Sequence, residues 1–437
     1  MIRFCRKNIW WILLVVFFTI TFKMNLIDSF NRVTDFQYDS EDLAIGALAA
    51  EHYHVRRGWQ GLGRLITNEK NYKWGSEKIY KENRQSSKGL RYGQYNSQIG
   101  LQGKVYAKIS KYIYSKHLIG FFRWVNCFLL SIVLVLLCYL LKEKFGNLFA
   151  SIWGIVFLLS PWIVNFAPNL YWVEFTWFVP MLIGLMAVSD KIQFKYKKWI
   201  LSVFIFISVG IKAACGYEYL STILIAMIMF PLTDSLYSYF TKKNFNKVCK
   251  NLKIIIIFSL SALLAFCVVM SVHGKFRGNG DIAQGIKNIY HQDILKRTVI
   301  GNQQNFKTQY PGVLKSLNAT IPEVLQKYFD FYSNHYHSNI VLGLDGRYFN
   351  AMAALAIILL LIRYRKSGYL QIIRDQHFYL LIISLLATLS WLILAKSHSY
   401  IHVHMNYVLW YFGYVQMCLF IIINDGLMYL KKFCSLD

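Results

Sequence analysis

Ten apolar runs dominate this chain and restrict what it can fold into. They lie near 9–26, 119–141, 147–166, 170–189, 199–215, 219–239, 254–272, 348–362, 378–395 and 405–424. Most approach the roughly 20 residues that an α-helix needs to cross about 30 Å of hydrocarbon. A helix satisfies its own backbone hydrogen bonds, so runs of this kind in lipid are helical. The expectation is an all-α integral membrane protein of about ten transmembrane helices. Composition agrees: apolar types make up 56% and charged types 16% of 437 residues, against about 25% charged in a soluble domain. That excludes a cytosolic enzyme, a secreted disulfide scaffold and a solenoid. The first run follows Arg3, Arg6 and Lys7. It reads as an uncleaved helix, because its apolar part is long and no small-x-small cleavage site follows.

Formal charge is +26, and its placement carries the information. Six short segments fall on one side if the N-terminus is inside: 1–8, 142–144, 190–198, 241–253, 363–377 and 431–437. They hold 20 Lys and Arg against 4 Asp and Glu. This is the positive-inside bias, so the basic balance reports topology and does not point to nucleic acid. An even number of spans returns the C-terminus to the same side. The chain then divides into a first helix (1–26), an outer loop (27–118), helices two to seven (119–272), a second outer loop (273–347), and three last helices with a short tail (348–437). The first loop holds Trp59, Trp74, Tyr53, Tyr72, Tyr80, Tyr92, Tyr95 and Tyr106, an ordered composition. Its start, Glu41–Tyr53, and its end, Ile99–Tyr114, read as amphipathic helices lying along the membrane surface. The eight cysteines avoid both long loops and form no C-x-x-C pair, which speaks against a disulfide framework or a zinc knuckle.

Acidic residues are scarce, so each one near the bilayer is informative; a charge in hydrocarbon costs about 2.5–3.5 kcal/mol on the insertion scale. Asp39, Glu41 and Asp42 form one group ahead of a helix, either as cap and helix-dipole partners or as catalytic carboxylates. Glu174 stands among Tyr171, Trp172 and Trp177 at the start of the fourth run. An aromatic belt explains the rings but not a short-stemmed acid. Lys212 and Glu218 flank an outer turn and either pair with each other or serve a site. Lys396, His398, His402 and His404 end the ninth run. They suit an anion such as phosphate, a divalent metal held with outer carboxylates, or plain interfacial hydrogen bonding. Arg56, Arg57 and Arg64 make a basic patch facing phosphate or lipid headgroups. His52-Tyr53-His54 and His335-Tyr336-His337 also occur. All the main candidates fall on the same, outer side. The inner loops carry no G-x-x-x-x-G-K-[ST] and no G-x-G-x-x-G motif. Chemistry outside then calls for a donor already delivered there, and a lipid-linked donor fits.

This layout resembles the GT-C superfamily of polyprenyl-phosphate-dependent glycosyltransferases. The likeness rests on the run Asp39-Ser40-Glu41-Asp42-Leu43-Ala44-Ile45-Gly46-Ala47-Leu48, which looks like that family's acidic-pair-then-helix element, and on Glu174 in the next short outer loop after Pro168. It covers about the first 240 residues in architecture. A clean Asp-Glu pair is missing, since Glu41-Asp42 reverses it. The resemblance implies membrane-parallel helices in the first outer loop and transfer of a sugar from a polyprenyl-phosphate donor to an envelope glycan or lipid acceptor, with inversion. A carboxylate base would come from Asp39, Glu41 or Asp42, with Glu174 as a second acid. Lys212, Glu218, Lys396, His398, His402, His404, Arg56 and Arg57 would bind substrate, and magnesium or manganese would be the candidate metal. The location implied is a bacterial cytoplasmic membrane, with both termini cytoplasmic. Two rivals stand beside it: a polysaccharide polymerase or ligase using lipid diphosphates and loop arginines such as Arg56, Arg57 and Arg277, and a lipid-glycan flippase.

Overall fold

The ten apolar runs are helical over most of their length in the computed structural model, which describes residues 2–26, 37–67, 75–82, 86–301, 311–330, 346–365 and 368–434. Tyr72, Trp74 and His335-Tyr336-His337 lie outside the described residues. In chain order, helix α1 is Ile2–Met24, α2 Tyr38–His52, strand β1 Gly63–Thr67, α3 Ser76–Glu82, β2 Leu90–Gln94 and α4 Leu101–Ser110. There follow α5 Leu118–Phe145, α6 Asn147–Leu159, α7 Pro161–Phe166, α8 Phe175–Val188, α9 Lys197–Cys215, α10 Leu220–Tyr237 and α11 Phe245–Arg277. The second long loop carries α12 Ile282–Ile289, α13 Leu295–Arg297, α14 Pro311–Asn318 and α15 Ile321–Phe329. The chain closes with α16 Gly346–Tyr364, α17 Gln376–Leu394, α18 Lys396–Ile401, α19 Val403–Asn406 and α20 Tyr414–Cys434.

Six of these helices are long and apolar enough to cross a membrane: α5, α9, α10 with its π-helical extension to Lys242, α11, α16 and α17. A seventh span results if Val403–Tyr411 and Tyr414–Leu430, bent by 53°, count as one. By length and composition the described residues thus give six or seven spans where about ten are expected, with three shorter apolar helices beside them, and the reason is local. Ser160 accepts a hydrogen bond from Ile163 N and Pro161 stands at the first turn of α7, which breaks the third run. The fourth run is irregular until Phe175. The resulting α6 and α8, of 13 and 14 residues, reach about 20 Å at 1.5 Å per residue. In α1 the apolar part is Ile9–Met24.

Helix α10 packs against α8, α11 and α17. A Cβ on Gly184 would lie 1.8 Å from the Met227 carbonyl oxygen, so only glycine permits the α8–α10 approach. Trp153, Trp162, Trp177, Tyr219 and Tyr407 fill the interior. Leu260, Leu263 and Leu264 of α11 stay exposed on the bundle's outer surface, as on a lipid-facing helix. Successive helices alternate in direction, which collects the described residues of 37–118, 160–175, 215–220, 277–330 and 394–414 at one end, where Gln37 meets His404, Gln102 meets Tyr171 and Cys215, His273 meets Asn96 and Lys396 meets Leu317. The opposite end holds the basic connections, tied by Lys144 to Asp234 at 2.8 Å, Lys191 to Glu143 at 3.1 Å and Arg363 to Asp375 at 2.8 Å.

The first long loop departs from expectation. Strands β1 and β2 pair antiparallel, with Leu65 opposite Tyr92, so the chain is nearly but not wholly α. Helix α2 does not lie on a surface: every residue from Glu41 to Ala50 is buried. It is covered by β1 and α3 on one side and α4 on another. A Cβ at Gly46 would meet the Gly63 carbonyl oxygen at 2.1 Å, which marks how closely hairpin and helix approach. Helix α4 is one-sided as expected, burying Gln102, Tyr106 and Ala107 and exposing Val105.

Candidate functional site

The three acids of α2 separate into different environments. Residues two apart on a helix face opposite sides, so Asp39 is exposed while Glu41 turns inward. Glu41 accepts from Arg123 Nε at 3.0 Å and Nη2 at 2.7 Å, and from Leu170 N at 3.1 Å. Arg123 also reaches Glu77 at 2.8 Å. Asp42 is buried, takes the Ser76 backbone N–H at 2.9 Å and lies 3.8 Å from Arg64 Nε. Burial pushes its carboxyl above the usual range. Glu41 and Asp42 thus tie α2 to α3, α5 and the hairpin, and Asp39 is left facing solvent.

Asp39 opens onto a cavity of about 980 Å³. Arg64 and Tyr95 from the hairpin region line it, as do Tyr171 and Trp172 from the irregular segment before α8. Glu218 joins from the α9–α10 turn, Lys296 and Arg297 from α13, and His398, His402 and His404 from around α18. These positions span much of the sequence and meet because the alternating helices return their connections to one end. Tyr171 donates to Glu218 Oε1 at 3.3 Å, and Arg297 donates to the Tyr95 hydroxyl at 3.3 Å. The Gln37 amide donates to His404 Nε2 at 3.1 Å. The His398 and His402 rings are 4.5 Å apart. Burial, helped by Arg297, holds both below the ordinary histidine range, so they are neutral hydrogen-bonding groups at pH 7. Burial also lowers Lys296, with Arg297 adding to it.

Backbone strain borders this cavity. Gln37, Val173 and Tyr219 take φ of 56°, 46° and 65°, a region that non-glycine residues avoid and a β-branched valine avoids most. Such conformations persist where surrounding contacts hold them and recur at functional sites. Here they set the start of α2, the turn carrying Tyr171 and Trp172, and the start of α10.

The other candidates lie elsewhere. Glu174 precedes α8, is 1% exposed, and neither carboxylate oxygen has a hydrogen-bond partner among the described residues; it is not part of the cavity lining. Lys212 is buried and donates to the Gly216 carbonyl at 2.6 Å, and Lys396 donates to the Leu317 carbonyl at 2.9 Å. Both close turns. Arg56 is exposed, Arg57 pairs with Glu51, and Arg277 pairs with Asp293 at 3.3 Å. His52 stacks on Tyr114 at 4.2 Å. Among the described residues no three His, Cys, Asp or Glu side chains converge as a metal site requires.

Sequence reasoning passed over Lys296 and Arg297. Their one signal is a basic pair inside the second long loop, indistinguishable there from solvated charge. The chain matches no family model, no curated protein and no solved structure.

Proposed function

We propose that the chain is a membrane glycosyltransferase, moving a sugar from a polyprenyl-phosphate donor to a hydroxyl of a glycan or lipid acceptor. One observation carries the reading: the exposed carboxylate of Asp39 opens onto the same cavity as Arg64, Lys296 and Arg297. A glycosyl transfer from a phosphate leaving group needs both halves, a base near the acceptor hydroxyl and cations for the phosphate. Asp39 takes the proton from the acceptor, whose oxygen attacks the anomeric carbon. The bond from that carbon to the phosphate oxygen breaks with inversion, and the polyprenyl phosphate leaves as an anion stabilised by Arg64, Lys296 and Arg297. Glu218, oriented by Tyr171, and the neutral His398 and His402 bind sugar hydroxyls, and Trp172 and Tyr95 offer aromatic faces to the ring. The apolar helices around the site are consistent with delivery of the donor from a bilayer.

The rival readings find less support. Of the arginines on which a lipid-diphosphate polymerase would lean, Arg56 is exposed and Arg57 and Arg277 pair with Glu51 and Asp293, and none of the three lines the cavity. The test is transfer in proteoliposomes supplied with synthetic polyprenyl-phosphate sugars and a panel of glycan and lipid acceptors. Asp39→Asn is expected to fold normally and lose transfer by about a hundredfold or more, the usual size of general-base catalysis. Full activity in Asp39→Asn removes the base from the scheme, and no product with any donor overturns the reading.

A further inference from the structure

At the end of the bundle opposite Asp39, a second recess of about 910 Å³ opens between the α8–α9 connection and the start of α11. Six lysines line it: Lys144, Lys197, Lys198, Lys247, Lys250 and Lys253. Only Asp190 and Asp234 line it with opposite charge. Asp234 is consumed by its neighbours, Lys144 at 2.8 Å, Lys247 at 3.7 Å and Gln376 at 2.9 Å. Lys197 donates to the Ser189 carbonyl at 2.7 Å. Lys250 and Lys253 are exposed and make no ion pair among the described residues.

The positive-inside bias explains why lysines are present at this end. It does not explain their convergence around one recess. A second observation is independent of it. Asn251 lines the recess and is 3% exposed, and its side-chain Nδ2 has no hydrogen-bond partner among the described residues. A buried donor left unmade costs about 1–3 kcal/mol, and a native fold retains one where something accepts the bond. Ammonium groups and an amide N–H offer donors only, so the complement is an acceptor-rich anion. Trp199, Val188 and Ile254 supply an apolar side.

We propose that this recess is a binding site for a phosphate group, separate from the Asp39 cavity and independent of the function proposed for it. Phosphate chemistry reaches it from two sources, the headgroup of an anionic phospholipid or a soluble phosphate compound, and the experiment separates them. The full chain is placed in nanodiscs of phosphatidylcholine, with or without phosphatidylglycerol, and retained lipid is counted by native mass spectrometry. Pyrophosphate binding is titrated calorimetrically in the phosphatidylcholine discs. Lys250→Ala/Lys253→Ala removes two exposed lysines of the recess, and Lys242→Ala/Lys243→Ala removes the same charge from the same end outside it. A lysine near a membrane surface contributes about 1 kcal/mol to anion attraction, so the first pair is expected to weaken binding about thirtyfold and the second to leave it nearly unchanged. Selective loss of phosphatidylglycerol retention assigns the site to lipid, and selective loss of pyrophosphate binding assigns it to a soluble ligand. Equal loss in both pairs, or loss in neither, overturns the proposal, because the lysines would then act only as diffuse surface charge.

Discussion

Glu41 looks like a catalytic acid in the sequence and like a structural tie in three dimensions, and replacing it separates the two. Glu41→Ala removes two hydrogen bonds to Arg123 and leaves the Leu170 N–H without its acceptor. Breaking a buried ion pair costs about 3–5 kcal/mol. Arg123 keeps Glu77 at 2.8 Å, and its side chain is 23% exposed, so the lower part of that range applies, about 3 kcal/mol. Arg123→Met strands Glu41 and leaves Glu77 only Lys81 at 2.6 Å, and is expected to cost more, about 4–5 kcal/mol. Glu41→Gln keeps one oxygen for Arg123 Nε and the Leu170 N–H but turns an amide NH2 toward Arg123 Nη2, which keeps Glu77, so it loses one charge-assisted hydrogen bond, about 2 kcal/mol. The expected stability order is wild type, Glu41→Gln, Glu41→Ala, Arg123→Met. Thermal unfolding in one detergent at one scan rate measures it, the fixed rate being needed because such unfolding is often irreversible.

The pH dependence adds an independent check. Burial acts to raise the Glu77 carboxyl, but Arg123 and Lys81 override it and hold the group below its ordinary 4.5. A depressed carboxylate contributes stability above its unfolded value and loses it as pH falls through the folded one. The deficit of Arg123→Met should therefore shrink below about pH 4.5, where Glu77 takes up a proton in the variant. Glu41→Gln with native stability and abolished transfer would refute this reasoning and return Glu41 to the chemistry.

Three further outcomes are expected. His398 and His402 have folded values depressed by burial, so the unfolded chain binds protons first and stability should fall as pH drops below about 6.5; melting curves from pH 7.5 to 5 check this, and His398→Gln/His402→Gln should flatten the slope. Gly46→Val should destabilise by at least about 1–3 kcal/mol, because its Cβ would enter the Gly63 carbonyl; unchanged melting of the purified variant would contradict the close packing of α2 on β1. Single cysteines at the exposed Lys116 and Lys243, in an otherwise cysteine-free chain, should react oppositely with an impermeant thiol reagent on intact cells: labelling at 116 and protection at 243 places the Asp39 cavity outside, and equal labelling removes the alternation on which the topology rests.

Periodicity and hydropathy are local quantities, and what they determine was legible in the sequence. The ten apolar runs are helical over most of their length, because burying backbone in an apolar setting leaves few other ways to satisfy it. The clustering of Lys and Arg in alternate connections foretold which connections share an end. Asp39, Glu218 and the His398, His402 and His404 group were recognisable as ionisable residues near span ends. Contacts between distant residues decided the rest. Nothing near Glu41 in sequence announces Arg123, and nothing near Asp42 announces Ser76, so three adjacent acids looked equivalent until packing buried two of them. Helix length failed as a guide in α6 and α8, where Ser160-Pro161 and the strained turn at Val173 interrupt runs whose hydropathy continues. The sequence reading places helix α2 along a surface, yet it is apolar on every side from Leu43 to Ala50, and the hairpin of β1 and β2 closes over it, burying Glu41 and Asp42 as well. Lys296 and Arg297 became cavity residues for the same reason: a charge in a long loop takes its meaning from what the fold sets opposite it, and here that is Asp39 and Glu218.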